Sequence, residues 1–173
     1  MFLLRRPVTD DASALASAGN HGAIAHAMLS HPNPFMLDDA LSWIDESNQQ
    51  TTRDGYVVYE ASQGTIVGVA ELREIDQVHR QAEVSFWLSH SMWGRGVGAI
   101  ALAALVQIAF DIHGLNRVSG YHMRRNPASG RVMAKCEFRQ EGVLRERVWK
   151  AGVPEDAVLW ARLAGDQADR TLG

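Results

Sequence analysis

Three glycines alternate over five positions in the segment Trp93–Gly98, and this segment constrains the fold more than any other part of the chain. Residues 82–88, just before it, have the composition of a strand, and the nearly all-apolar residues that follow, up to Ile112, predict a buried helix. A strand, a glycine turn and a helix bring free backbone N–H groups and the positive end of a helix dipole to one point. Glycine also permits positive φ and close approach of a ligand. The pattern therefore indicates a site for a phosphate-bearing ligand, such as a nucleotide-derived cofactor.

The rest of the chain predicts strands mixed with helices. The predicted strands are 2–6, 56–61, 65–75, 81–88, 116–123, 138–150 and 157–163, with a turn at 151–156. The predicted helices run from an N-cap at Thr9 to 19, from 37 to 48, from the glycine turn to Ile112 with Gly114 just beyond its end, and from 126 to 136. Such a chain suits a mixed sheet with helices on both faces, in which 82–123 form a parallel strand–helix–strand unit.

Length and composition indicate one domain with a substantial core. We expect the domain to cover residues 1–165 and a loose tail to cover 166–173. The net charge of −3 provides no overall field that would attract nucleic acid or anionic lipid. The longest apolar run, 97–110, is too short to span a bilayer, and residues 1–6 are too short and too charged for a secretory signal. We therefore expect a cytoplasmic protein without nucleic-acid or membrane partners, as a monomer or homodimer.

A metal site is not expected. The single cysteine, Cys136, excludes an intrachain disulfide and a multi-cysteine zinc site, and it is best interpreted as a small core residue. His21, His26 and His31 recur every five residues, a spacing that does not place them on one face of a helix.

Four segments resemble the GNAT superfamily of acyl-CoA-dependent N-acyltransferases, and within it the branch that acetylates the N-terminal amino group of ribosomal proteins. These segments are 34–44, 82–88, 93–98 and the pattern Asn126-x-x-Ser129-x-x-Val132-x-x-Lys135-Cys136-x-Phe138 with Glu141-Gly142-x-Leu144-Arg145 after it. Their order and spacing are more specific than any one of them. The resemblance extends nearly end to end and implies an α/β (α+β) sandwich. Its mixed, mostly antiparallel sheet would have seven strands, helices on both faces and one splayed parallel strand pair.

The resemblance implies acetyl-CoA, or free CoA, as cofactor and an amine as acceptor. In the family, amides of the glycine loop hold the diphosphate, and the pantetheine arm pairs with the end of the central strand. A backbone N–H near Leu88 would polarise the thioester carbonyl. The cofactor-binding residues carried over to this chain are Trp87, Leu88, Ser89, Trp93, Gly94, Arg95, Gly96, Val97, Gly98 and Asn126. Arg124 and Arg125 are either further ligands of the 3′-phosphate or a solvated pair.

The chemistry requires that the amine lose a proton, and that the departing thiolate gain one if an acid is placed beside it. The candidate bases are Glu71, Glu83, His122 and Glu146, of which Glu83 is preferred. The serine of the Asn-x-x-Ser segment, the proposed acid in this branch, corresponds to Ser129. The amine is expected to attack the thioester directly, without a covalent enzyme intermediate.

Structural interpretations of the same residues remain open. Asn126 could serve only as an N-cap before Pro127, which would leave the Ser129 hydroxyl without a role. Glu71 and Glu83 could pair with Arg73 or Arg80 across the sheet, and His122 could be a packed, hydrogen-bonded residue. The tryptophans expected in the core are Trp43, Trp87, Trp149 and Trp160.

The chain departs from the family pattern at three positions. Trp93 stands where the family often has Arg or Gln, Ile100 where a Glu is common, and Glu137 where a Gly usually precedes Phe138. These departures bear on the acceptor more than on the cofactor. They also leave open a non-catalytic module that binds acyl-CoA.

Two other nucleotide-binding classes fit less well. Gly94-x-Gly96-x-x-Ala99 satisfies the loose dinucleotide-binding pattern, but the next strand, 117–123, has no carboxylate to hold a ribose. The hairpin before the glycine turn is also unlike a doubly wound sheet. The chain has no Gly-Lys-Ser/Thr sequence, which excludes a P-loop NTPase. The sequence therefore predicts an N-acetyltransferase acting on a primary amine.

Overall fold

A single mixed sheet organises the computed structural model, which describes residues 1–49 and 51–166. Over these residues seven strands are hydrogen-bonded in the order β1-β2-β3-β4-β5-β7-β6. The strands are β1 (Phe2–Arg5), β2 (Asp54–Glu60), β3 (Thr65–Asp76), β4 (Gln81–Leu88), β5 (Arg117–Met123), β6 (Arg139–Lys150) and β7 (Val153–Leu163). Neighbouring strands run antiparallel except β4 and β5, which are parallel. The predicted fold class is confirmed.

Helices cover both faces of the sheet. They are α1 (Ala12–Gly19), α2 (Gly22–Ala27), α3 (Leu37–Gln49), α4 (Val97–Gln107) and α5 (Pro127–Lys135). Helices α4 and α5 pack on one face, and α1 to α3 pack on the other. Helix α4 packs against both the sheet and α5, and its Leu102 and Leu105 have no exposed surface, which accounts for its largely apolar sequence.

The parallel pair is short. Gln81, Ala82 and Glu83 pair with Arg117, Val118 and Ser119, and the pairing of β4 with β5 ends there although both strands continue. Backbone groups beyond this point lose their neighbour on one side and need another partner. The gap that this leaves between β4 and β5 lies directly before the glycine turn. The fold therefore places an unpaired strand end beside an open helix N-terminus.

The ends of several elements differ from those predicted. Thr9 is not an N-cap, since Thr9–Asp11 forms a 3₁₀ turn before α1, and the Asp11 carboxylate accepts the Val8 N–H at 2.8 Å. The six-residue α2 was not predicted, because so short a helix carries almost no periodicity.

Two further predictions are corrected at helix and strand ends. Helix α4 ends at Gln107, and residues Ile108–Ile112, predicted to continue it, form a π-helical turn. Gly114 follows with φ of +63°, the left-handed conformation expected of a glycine just beyond a helix end. The predicted turn at 151–156 is confined to Ala151 and Gly152, both at positive φ, so β7 begins at Val153.

The predicted tail, 166–173, lies outside the described residues apart from Asp166, whose carboxylate accepts the Leu163 N–H at 2.9 Å. Over the described residues, none of the helices has the length and apolar character needed to cross a bilayer.

Candidate active site

The glycine turn opens the N-terminus of α4. Gly94 and Gly96 have φ of +74° and +79°, and a Cβ built at either would meet nothing within 4 Å. Gly96 is the N-cap residue and supplies no side-chain cap to the helix. The first N–H groups of α4 therefore have no side-chain cap, and an anion bound beside the glycine turn could accept them.

A cavity of about 320 Å³ lies at this helix end. Its floor is the end of β4 and its walls are the glycine turn, α2 and α5. Among its lining residues are Leu88, Trp93, Gly94, Gly96, Val97, Gly98, Asn126, Ser129, Arg131 and Lys135. Arg131 and Lys135 stand one turn apart on α5 and add positive charge beside the helix end.

The register of β3 and β4 decides which amides face the gap. Ser89 donates its N–H to the Val67 carbonyl at 2.8 Å, so the odd-numbered residues at this end of β4 bond to β3. The backbone groups of Phe86 and Leu88 consequently point toward β5, which has already separated from β4. The register thus directs the Leu88 N–H into the gap.

The structure distributes the predicted cofactor residues unevenly. Leu88, Trp93, Gly94, Gly96, Val97, Gly98 and Asn126 line the cavity together with the buried Trp87. Trp93 also donates its indole N–H to the Leu88 carbonyl at 3.0 Å, which joins the loop to the strand end. Ser89 lies outside the lining with its amide already bonded, and the Arg95 guanidinium contacts the Met92 sulfur.

Asn126 does not cap α5 with its side chain. Its Nδ2 donates to the Ala27 carbonyl at 3.2 Å and to Ser129 Oγ at 3.1 Å. Because a carbonyl can only accept, the first of these bonds fixes the orientation of the amide. Ser129 then accepts from Asn126, and its own hydroxyl proton is available to a group in the cavity.

A second cavity, of about 220 Å³, adjoins the first, and Ala27, Met28, Phe86 and Ser129 line both. Glu83 lines it and accepts a hydrogen bond from the Tyr121 hydroxyl. Burial, followed by the contact with Glu83, raises the pKa of Tyr121 to about 12, so the phenol donates and does not ionise near neutral pH. The Arg147 guanidinium lies 5.5 Å from the centre of the Tyr121 ring.

A third cavity, of about 250 Å³, continues over the face covered by α3. Glu71 lines it with only 7% of its surface exposed. Its carboxylate accepts from Trp43 Nε1 at 2.9 Å and lies 3.6 Å from Arg53 Nε and 3.9 Å from Arg73 Nε. Burial outweighs these contacts and raises the pKa of Glu71.

The surroundings of two other candidate bases differ from those of Glu83. His122 lines the second cavity, but its Nδ1 lies 2.9 Å from the Met123 carbonyl and its Nε2 accepts from Trp160 Nε1 at 3.1 Å, so both ring nitrogens have hydrogen-bond partners. Glu146 is exposed in a β6 bulge and lines none of the three cavities described above. The interpretation of His122 as a packed, hydrogen-bonded residue is the one that fits.

Arg125 is not a free ligand for a phosphate. Its guanidinium donates to Glu155 at 2.6 Å and to the His26 carbonyl at 2.9 Å, which holds α2 against the end of β5. Arg124 is exposed and lies 3.5 Å from Asp156. The described residues contain no group of three metal-ligating side chains.

The departures from the family pattern have distinct local environments. Glu137 has φ of +65°, the conformation for which the family's glycine is suited, and its carboxylate pairs with Arg162 at 2.9 Å. Ile100 is about half exposed on α4. Cys136 is buried as predicted and donates to the Ala99 carbonyl at 3.3 Å.

The tryptophans are not all in the core. Trp87 is buried, whereas Trp149 is 72% exposed near the tip of the β6–β7 hairpin, so its predicted core position is wrong. Sequence reasoning also missed Tyr121, Arg147, Arg131 and Lys135 as site residues. The basic pair on α5 could have been found from its four-residue spacing.

A family model described as an acetyltransferase (GNAT) domain matches residues 2–139. An uncharacterized N-acetyltransferase of Bacillus subtilis, YoaA, is 28% identical over 96 residues, 56% of this chain and 54% of the relative. A putative ribosomal N-acetyltransferase of the same species, YdaF, is 31% identical over 100 residues, 58% of this chain and 55% of the relative. The chain thus spans about half the length of these relatives.

Solved structures of similar fold cover nearly all of the chain. A spermidine N-acetyltransferase from Vibrio cholerae in complex with CoA and spermine superposes with a TM-score of 0.83 at 22% identity, over 94% of this chain and 95% of that one. A ribosomal-protein-S5-alanine acetyltransferase from Vibrio fischeri superposes with a TM-score of 0.85 at 20% identity, over 95% of this chain and 94% of that one.

Proposed function

This chain belongs to the acetyltransferase (GNAT) domain family, and we propose that it transfers an acetyl group from acetyl-CoA directly to a primary amine. The observation that carries the proposal is the pair of adjoining cavities that Ser129 lines. One lies at the open N-terminus of α4, and the other extends from Ser129 to the side chains of Glu83, Tyr121 and Arg147. The names of the relatives, which mention ribosomal and spermidine acetylation, support an amine acceptor of either kind.

The first cavity fits the cofactor. The uncapped start of α4 and the absence of side chains at Gly94 and Gly96 suit a diphosphate held by backbone N–H groups. Arg131 and Lys135 suit the remaining phosphate, and the backbone of Phe86 and Leu88 suits the amide-bearing arm. When bound, acetyl-CoA supplies an acetyl thioester, whose carbonyl oxygen the Leu88 N–H would polarise.

The reaction forms a bond between the acceptor nitrogen and the acetyl carbon and breaks the bond between that carbon and sulfur. Overall, the nitrogen gives up a proton and the thiolate gains one. Glu83 faces the second cavity and is our candidate to take the proton, directly or through water. Ser129 is our candidate to supply the proton to sulfur, since Asn126 already donates to its oxygen.

The test is release of free thiol from acetyl-CoA with a panel of primary amines, together with mass-spectrometric detection of the acetylated amine. Acetylation of at least one class of amine is expected. If the chain binds CoA tightly but acetylates no amine, it is a binding module and the proposal fails.

A further inference from the structure

Two guanidinium groups line the second cavity, Arg147 without an ion pair among the described residues and Arg73 with a single long one. The Arg147 guanidinium lies over the Tyr121 ring. Within residues 1–49 and 51–166, no carboxylate oxygen lies within 4.0 Å of its nitrogens, the limit for an ion pair. Arg73 has a buried Nε without a hydrogen-bond partner among the described atoms, and its ion pair with Glu71 is long, at 3.9 Å. Both side chains line the same space.

The nearby carboxylates are engaged elsewhere. Glu83 stands directly opposite Arg73 in the register of β3 and β4, yet it accepts from the Tyr121 hydroxyl and forms no ion pair with Arg73 within the described chain. Glu71 also interacts with Trp43 and Arg53. Because His122 has both ring nitrogens engaged, the charged groups lining this cavity are two cations and one anion.

A cavity of this charge attracts an anionic group, and guanidinium groups match a carboxylate particularly well. We propose that the acceptor is a primary amine that carries its own carboxylate, as a free amino acid does, and that Arg73 and Arg147 bind that carboxylate. The inference rests on the proposed function, since it assigns the substrate class for the same site. It places the amine between the arginines and Ser129, on the side where the first cavity begins.

The same charges disfavour a polycation. A second ammonium group would meet Arg73 or Arg147 in this cavity, and like charges at close range repel. The third cavity does contain acidic residues, but Glu46 and Glu71 both pair with Arg53, and Asp39 accepts the Met36 N–H at 2.8 Å. Specificity for a carboxylate would thus come from attraction to the acid and from repulsion of polyamines.

The experiment compares acceptors that differ only in the carboxylate. The full chain is assayed with acetyl-CoA and the common amino acids, each alongside its amide, and with spermidine and a C-terminally amidated peptide. We expect kcat/KM for the best amino acid to exceed that for its amide by about 10- to 100-fold, the range for one charge-assisted contact. We expect spermidine to be the poorest acceptor.

The variants identify the residues responsible. Arg147→Gln is expected to raise KM for the amino acid about tenfold or more and to lower the ratio of kcat/KM between the amino acid and its amide by a similar factor. Arg147→Lys should restore part of the preference, because it keeps the charge but loses the planar fork. Arg145→Gln, on the same strand and outside the lining, is the matched control and should change neither value.

The inference fails if amides, the peptide or spermidine are acetylated as well as the amino acids, or if Arg147→Gln leaves the preference intact. That outcome leaves the proposed acetyltransferase function standing. If no amine is acetylated, the proposed function fails, and calorimetry on the CoA-loaded chain decides the inference. Tighter binding of amino acids than of their amides supports it, and equal binding overturns it.

Discussion

At the scale of single residues, Ser129 lines both of the adjoining cavities. If it supplies the proton to the thiolate, Ser129→Ala should lower kcat about 100-fold, the lower range for general acid catalysis. KM for acetyl-CoA should change less than about twofold, because the diphosphate contacts lie on α4. Ser17→Ala, an exposed serine on α1, is the control. Equal kcat in wild type and Ser129→Ala would leave the residue with a structural role only.

Glu71 gives a stability prediction with a definite sign. Burial raises its pKa in the folded chain, so the unfolded chain releases this proton at lower pH. Folding is therefore penalised progressively as pH rises above the ordinary value for Glu, about 4.3. The free energy of unfolding of Glu71→Gln, relative to wild type, should increase between pH 4 and pH 7 in urea titrations. A difference that is constant or falls with pH would contradict the assignment.

At the scale of the elements, the glycine turn can be tested apart from the fold. Gly96→Val adds a β-branched side chain at φ of +79° beside the start of α4, and we expect CoA affinity to fall at least about 100-fold in calorimetry. Gly64→Val is the matched control, since Gly64 also has positive φ and open space but lies in the β2–β3 turn. It should show a similar loss of stability with unchanged CoA affinity.

Helix α5 is held to β5 through a contact that leaves no room for a methyl group. A Cβ at Gly130 would lie 2.7 Å from His122 Nε2, whose ring is fixed by bonds to Met123 and Trp160. We expect Gly130→Ala to lower the free energy of unfolding by about 1–3 kcal/mol in urea. Gly22→Ala, in α2 with nothing within 4 Å, should leave it unchanged or raise it by up to about 1 kcal/mol. Equal values for the two variants would contradict this packing.

What the sequence could predict also depends on scale. The strand–turn–helix unit at 82–112 was predictable because β-propensity, glycines and an apolar run are local patterns. The role of Arg147 was not, because a bulge between Leu144 and Val148 directs it to the cavity. Glu146 and Arg147 are adjacent in this bulge and both are exposed, but only Arg147 lines the second cavity.

At the scale of the whole molecule, the three-residue parallel pairing leaves the end of β4 open to an added partner. We expect CoA to slow amide hydrogen exchange at Phe86 and Leu88 by about tenfold or more, as one new hydrogen bond to each would do. Trp87 is an internal control, because the register directs its N–H to β3. Equal slowing along the whole strand would indicate general stabilisation, and no slowing at Phe86 or Leu88 would contradict the pairing.

The adjoining positions of the two cavities have a kinetic consequence. If each reactant occupies its own cavity and the amine attacks the thioester directly, both must be bound together before chemistry. Initial rates measured while both concentrations vary should give intersecting double-reciprocal lines. The acetylated product can then depart while the spent thiol is still in place.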